Sequence, residues 1–249
     1  MPLQSFLEPE WLDSVDSTNK TLRRRIEAGE ALPSGYVLAA REQTAGKGRL
    51  DHGWVSRAGD LFFSFVLHVD KTDLQTLSLP MAVAIGIAKK LAPLGLAAAT
   101  SWPNDVLVGG KKIGGVLAER ASLPGGAGKP CIVGVGLNVN MPQGQADAIE
   151  QPATSLLIET GASRTPGAVL DELLPELAEW IRLWELGGFA CIAASYAGLC
   201  GDLGRELTIQ DLNARFSGKV VGFGEHGELL LLTSRGEVVP VWTGNTVRK

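Results

Sequence analysis

The sequence predicts an α+β fold, with a mixed α/β domain over residues 1–199 and a small β domain over 200–249. Three observations carry that expectation. Helix-like and strand-like segments intermingle up to about residue 199. Past Gly201 the chain turns into short β-rich runs (ELTIQ, ARFSGKVVGF, GELLLLT, GEVVPVW) separated by turn residues, as in a small barrel or sheet. Apolar residues make up 45% and charged residues 20% of the 249, an ordinary globular composition that suits one large domain or a large plus a small one.

The elements follow in order. Residues 18–28 read as a helix that Asp16 or Ser17 can cap and Gly29 ends. Residues 36–40 read as a buried strand, followed by a polar, glycine-rich loop over 43–53. Residues 61–69 alternate apolar with small or polar side chains and read as a strand; 77–91 look helical. Residues 104–119 read as a β-hairpin whose halves, DVLV and KKIGGVLAE, are joined by Gly109-Gly110, a favoured pair for a two-residue type I′ turn. Residues 131–140 form another strand ending in a polar pair. A long helix is expected over 170–186, with a kink near Pro175, and a further helical stretch over 189–199.

Composition also narrows the function. A net charge of −4 argues against a nucleic-acid surface as the main role, because phosphate binding needs clustered Lys and Arg. Cys131, Cys191 and Cys200 are odd in number and lack CxxC spacing, which fits a reducing cytoplasm better than a disulfide or zinc framework. His52, His68 and His226 are too scattered for a metal site. The N-terminus lacks the basic-then-apolar order of a signal peptide, and the most apolar stretch, 82–99, is broken by Lys89, Lys90 and Pro93. No membrane association is expected.

Four segments could carry chemistry. TAGKGRLDHGW brings close glycines, Lys47 and Arg49 into one loop, which lets backbone and charge approach an anion; with Arg49 after GKG in place of Ser or Thr it is not a P-loop. In SWPNDVLVGGKKIGGVLAE, a two-residue turn pairs Val108 with Lys111, Leu107 with Lys112, Val106 with Ile113 and Asp105 with Gly114. Alternation then puts Asp105 and Lys112 on one face, on a diagonal of roughly 7–8 Å that a lysine can close. Lys111 points to the other face, while Gly114 and Gly115 leave room for a ligand. CIVGVGLNVN ends in Asn138 and Asn140, amides at the end of a strand where α/β sheets often bind ligands. VDSTN supplies a helix N-terminus, a ready anion site.

In this order the segments resemble the biotin protein ligase family: DSTN at 16–19, QTAGKGR with Trp54, WPND with KKIGGVLAE, GVGLNVN at 134–140 and ATSL at 153–156. WPND with its downstream KKIGG is the most specific piece, and the resemblance covers nearly the whole chain. It implies a mixed-sheet catalytic domain of the biotin/lipoate ligase type with an SH3-like C-terminal β-barrel. It also implies an ATP-dependent activity that forms biotinyl-5′-AMP and passes biotin to a lysine of a biotin carboxyl carrier protein domain.

The cofactor set it implies is ATP, biotin and Mg²⁺ held through the phosphates, with no protein metal site. The chain starts almost directly at the catalytic domain, so the DNA-binding form of the family, and DNA as a partner, are not expected; a homodimer through a sheet edge is. Carried over residue by residue, Lys112, Arg49 and Asp105 are catalytic. Ser17, Thr18, Asn19, Gln43, Gly46, Lys47, Gly48, Arg49, Lys112 and Gly115 meet biotin, while Lys47, Arg49, Trp54, Asn104, Lys112 and Asn138 meet ATP.

The chain departs from the common pattern in four places. Lys47 stands where many members have Arg, Asp51-His52 replaces Gly-Arg, and Ser101 replaces a Lys before Trp102. The tail reads TGNTVRK rather than an acidic residue followed by SLR, with Arg248 still able to serve. Two other readings stay open: a lipoate protein ligase, and a biotin-binding relative that has lost turnover.

Overall fold

The computed structural model describes residues 3–49, 53–126, 129–211 and 214–247. Asp51, His52 and Arg248, singled out above, lie outside them. Two sheets organise the chain. The larger takes β1 (Glu10–Val15), β2 (Val37–Gln43), β3 (Leu61–Leu67), β4 (Ala98–Ser101), β5 (Asp105–Val108), β6 (Lys111–Arg120) and β7 (Cys131–Leu137), in the order β1-β2-β3-β7-β6-β5-β4. Only β1 and β2 pair in parallel. The smaller takes β8 (Glu206–Gln210), β9 (Arg215–Phe223), β10 (Leu229–Leu232), β11 (Val238–Val241) and β12 (Asn245–Thr246), all antiparallel, in the order β11-β10-β9-β8-β12.

Seven α-helices accompany them among the described residues: α1 (Thr18–Glu27), α2 (Asp73–Thr76), α3 (Leu79–Leu91), α4 (Gln143–Ala146), α5 (Leu156–Thr160), α6 (Pro166–Gly187) and α7 (Ala193–Leu199). α1 covers one face of the large sheet, packing Leu22 and Ile26 on Leu38, Val66 and Ile132. α3 and α6 cover the other, where Val37, Phe63, Phe65, Val133 and Val135 join the main core. Strand β3 is therefore buried along its whole length, not alternately exposed as its pattern suggests, because helices lie on both of its faces.

Helix α3 is buried nearly all round, the signature of a core helix. It belongs to Asp73–Leu94, the stretch among the described residues that is long and apolar enough to cross a membrane, and 67% of that stretch's most apolar window is buried. Helix α6 runs unbroken through Pro175. The 189–199 segment divides into a 3₁₀ turn, Gly188–Cys191, and α7.

Two local corrections matter for the site. Ser17 sits at the N-cap of α1, but neither it nor Asp16 caps the helix with its side chain. The Gln43 carboxamide does so from the end of β2: its Oε1 accepts from Thr18 N at 2.9 Å and from Thr18 Oγ1 at 3.2 Å. Asp16 instead accepts from Ser17 N and binds Arg24, whose guanidinium hydrogen bond pulls the carboxyl down to about 2. In the β5–β6 hairpin, Gly109 and Gly110 turn with φ of 57° and 78°, as a type I′ turn needs. Val108 pairs with Lys111 and Leu107 with Lys112, as expected, but a β-bulge then pairs Val106 with Gly114 and Asp105 with Gly115.

Candidate functional site

The α1 face of the large sheet changes character along its strands. Beneath α1 it presents Val66 and Ile132; one step further it presents Ser64, Gly134, Gly136 and Gly115. The three glycines clear a floor there and a cavity of about 900 Å³ opens above it, while Ser64 lies beneath Thr18 and Asn19. Its walls come from α1, the 43–57 loop, the β4–β5 turn, the 148–152 segment and the β11–β12 turn of the small sheet.

One end is a network of buried and half-buried hydrogen bonds whose cavity-facing side chains are neutral. Ser64, fully buried, lies 2.6 Å from both Thr18 Oγ1 and Asn19 Oδ1, so its single hydroxyl proton serves one of them at a time. Asn19 donates to Glu119 Oε2 at 2.8 Å, and Gln43 donates to Ser56 Oγ at 3.1 Å. Asn19 lies flat on Gly134, where any Cβ would collide with its Oδ1. Ser17, Thr18, Asn19 and Gln43 all line the cavity.

The middle is the charged pair. Lys112 Nζ lies 2.7 Å from Asp105 Oδ1, with the two side chains 20% and 17% exposed. The Lys112 stem passes over Gly115, and Nζ stands 5.3 Å from the centre of the Trp54 ring, a cation–π contact. That ring covers Gly136 as well: a Cβ there would come within 2.5 Å of it. The indole Nε1 is buried and makes no hydrogen bond among the described residues.

The far end belongs to Arg49. Its Nη2 donates to Thr243 Oγ1 at 3.0 Å, and its Nη1 to Gly244 O and Asn104 Oδ1, both at 3.3 Å. Burial lowers the pKa of this guanidinium, and the nearby charges of Asp105 and Asp211 oppose that shift. Asn104 is fixed by donating to Val116 O at 2.7 Å. The neighbouring Trp102 follows the same logic: its backbone N–H donates to Asp202 at 2.7 Å and its indole to Gly227 O at 2.9 Å, which ties WPND to the small sheet. The Trp102–Pro103 bond is cis.

Of the expected site residues, Ser17, Thr18, Asn19, Gln43, Lys47, Gly48, Arg49, Trp54, Asn104, Asp105, Lys112 and Gly115 meet around this cavity. Two do not line it. Gly46 is spent inside its own loop, where its carbonyl accepts from Trp54 N and Ser56 Oγ leaves no room for a Cβ. Asn138 is buried behind Lys112: its amide donates to Thr154 O at 2.8 Å and Lys112 O at 3.4 Å, so it supports the lysine's backbone instead of facing the cavity. The 152–154 segment helps, with Lys112 N donating to Pro152 O and Thr154 N to Lys112 O.

Sequence reading missed several lining residues. Gly134 and Gly136 had a usable signal, since glycines at period two share one face of a strand. Arg57, which lines the cavity with a buried Nε that has no partner among the described residues, had none. Neither had the 148–152 segment or Gly244–Thr246, which only tertiary folding brings to the site. Among the described residues, no group of three or more His, Cys, Asp or Glu could hold a metal ion.

A model of the biotin/lipoate A/B protein ligase family matches residues 11–138. The chain is 32% identical over 230 residues to the bifunctional ligase/repressor BirA of Bacillus subtilis, covering 90% of this chain and 69% of that one. It is 32% identical over 237 residues to the biotin–[acetyl-CoA-carboxylase] ligase of Paracoccus denitrificans, covering 92% and 96% respectively. Among solved structures, the biotin protein ligase of Aquifex aeolicus in complex with biotin and ATP aligns with a TM-score of 0.79 at 29% identity, over 97% of this chain and 98% of that one.

Proposed function

This chain belongs to the biotin/lipoate A/B protein ligase family, and we propose that it is an ATP-dependent biotin protein ligase whose site is the cavity around Lys112. It joins biotin to ATP as biotinyl-5′-AMP, then passes biotin to a lysine on a biotin carboxyl carrier-type domain of a carboxylase. The observation that carries this reading is the pairing, in one cavity, of a neutral hydrogen-bonding end with a cationic end.

The first step brings a carboxylate against the α-phosphorus of a polyanion. It therefore needs cations aimed at both and a geometry that holds them in line; a protein nucleophile is not required. Lys112 would stand between the carboxylate and the α-phosphate, taking up charge as the carboxylate oxygen bonds to phosphorus and pyrophosphate leaves. Asp105 orients that ammonium. When an acceptor amine later attacks the acyl carbon and AMP departs, Asp105 would receive the amine's proton. Arg49 and Lys47 bring positive charge on the loop that would close over the reactants and keep water from the acyl-adenylate.

Ser17, Thr18, Asn19 and Gln43 offer both donors and acceptors, which suits the ureido ring of biotin. Trp54 and the apolar Ala148 and Ile149 would flank the adenylate, and Asn104 would meet the nucleotide. Asn138 acts through the Lys112 backbone. Mg²⁺ would enter with ATP, since it keeps several waters and needs few protein ligands. We place the boundary between the catalytic and β domains at residues 199–200, with the cavity drawing walls from both.

The test is biotin-dependent exchange of labelled pyrophosphate into ATP, with lipoate alongside. Exchange with biotin alone supports this reading. Exchange with lipoate instead moves the protein to a lipoate ligase, and folded protein that binds biotin without exchange is a non-catalytic relative.

A further inference from the structure

Arg49 reaches across the cavity mouth and binds the small sheet. Its partners there, the Thr243 hydroxyl and the Gly244 carbonyl, sit in the turn between β11 and β12, and Gly244, Asn245 and Thr246 line the cavity. That turn is rigidly held. Gly244 has φ of 134°, and a Cβ on it would come within 2.5 Å of Ile209 Cγ2 on β8. Val247 N donates to Thr208 O, and Asn245 pairs with Gln210.

The chemistry of the partners is informative. A carboxylate would bind Arg49 more strongly and cancel its charge. A hydroxyl and a peptide carbonyl fix the direction of the guanidinium and leave its charge for an incoming anion. The contact also joins the 43–57 loop to the β11–β12 turn, through residues 194 apart in sequence.

We propose that Thr243 is a positioning residue: the β11–β12 turn holds Arg49 over the cavity mouth so that the acyl-adenylate is retained until an acceptor lysine arrives. The proposal rests on the biotin ligase reading above. When the hold is lost, water attacks the acyl carbon of the adenylate. The acyl–oxygen bond breaks towards AMP, and biotin and AMP are released without transfer.

The experiment compares Thr243→Val, which keeps shape but removes the hydroxyl, with Thr243→Ser, which keeps it; Thr243→Ala serves if valine disturbs the turn. Two quantities are read: AMP formed per biotin transferred to a carrier domain, and the rate of tryptic cleavage after Arg49 in the ligand-free protein. Thr243→Val should raise both by roughly ten-fold, the equivalent of one hydrogen bond to a charged group, and Thr243→Ser should restore them. Unchanged AMP coupling together with unchanged cleavage in Thr243→Val overturns the proposal. If the unaltered protein forms no AMP with biotin, it is the ligase reading that fails. The cleavage rates then decide the latch alone, and equal rates overturn it.

Discussion

Lys112 Nζ meets Asp105 Oδ1 at 2.7 Å across the β5–β6 hairpin, and one extra residue in β6 brings Gly115 to the same face. On a regular strand, residues three apart point to opposite faces, which would set Lys112 against Gly115. The bulge at Ile113 restores the parity. Lys112, Gly115 and Asp105 then share the face on which the cavity opens, so a cation, its orienting carboxylate and a bare floor come together in one hairpin.

Removing the cation should stop adenylation without unfolding the chain. Lys112→Ala is expected to reduce biotin-dependent pyrophosphate exchange by about 10²–10³-fold, the usual cost of deleting one preorganised electrostatic group. The side chain is not part of the core, so the thermal midpoint should stay within a few degrees of its original value. A folded Lys112→Ala protein with near-normal exchange would remove Lys112 from the reaction. Asp105→Asn should be milder in exchange than in transfer to the carrier if, as proposed, the acid orients Lys112 in the first step and accepts a proton only in the second.

The hydrogen-bonded end can be tested separately from the charged end. Ser64 touches no cavity surface, yet it fixes Thr18 and Asn19. Ser64→Ala removes the one proton that Thr18 Oγ1 and Asn19 Oδ1 share and leaves a buried oxygen short of a donor, a loss of about 1–3 kcal/mol. Weaker biotin binding by roughly ten-fold, with the KM for ATP unchanged, is the expected result in calorimetry and steady-state kinetics. Gly134→Ala should act in the same direction by pushing Asn19 off its seat. Equal effects on biotin and ATP would mean that this network supports the fold and not the biotin end.

Much of this was legible in the chain itself, and what was not had physical causes. Asp105 and Lys112 were placed on one face from turn length and alternation alone, because Gly109-Gly110 admits little but a tight turn. The bulge was invisible, since nothing in IGGV says which residue the ladder skips. Gln43 as the cap of α1 was equally hidden: it lies 25 residues from Thr18, and capping rules read only neighbours. Asn138 looked like a ligand group at a strand end, but tertiary packing of the 152–155 segment over it turned its amide inward. The second sheet announced itself by composition, while its contribution of Thr243 to Arg49 could not be read without the fold.

Trp102 makes a distinct prediction about how the two sheets stay together. Its indole donates to Gly227 O in a buried setting. Trp102→Phe keeps most of the apolar ring but strands that carbonyl, which should cost about 1–3 kcal/mol. At 2–4 °C per kcal/mol for a chain of this size, the midpoint should drop by roughly 2–12 °C in thermal unfolding. The effect on exchange activity at 25 °C should be small by comparison if the indole only fastens the small sheet. A fall in activity with no change in midpoint would place Trp102 in contact with the nucleotide.

The three cysteines should differ sharply in reactivity. Cys191 is exposed, whereas Cys131 and Cys200 are buried. Burial pushes the Cys131 thiol up to about 11 and, with the negative charge of Asp202 nearby, the Cys200 thiol up to about 12. The thiolate is the nucleophile, so a raised pKa suppresses attack across the neutral range and up to the folded-state value, in addition to steric shielding. A thiol reagent such as Ellman's reagent at pH 8 should therefore titrate one thiol in the native protein and three after denaturation. Cys191→Ser should abolish the native reaction and leave pyrophosphate exchange unaltered, because no step of the proposed chemistry uses a thiol. Rapid modification of two or three thiols in the native state would show that the end of α7 and the start of β7 open far more readily than their packing implies.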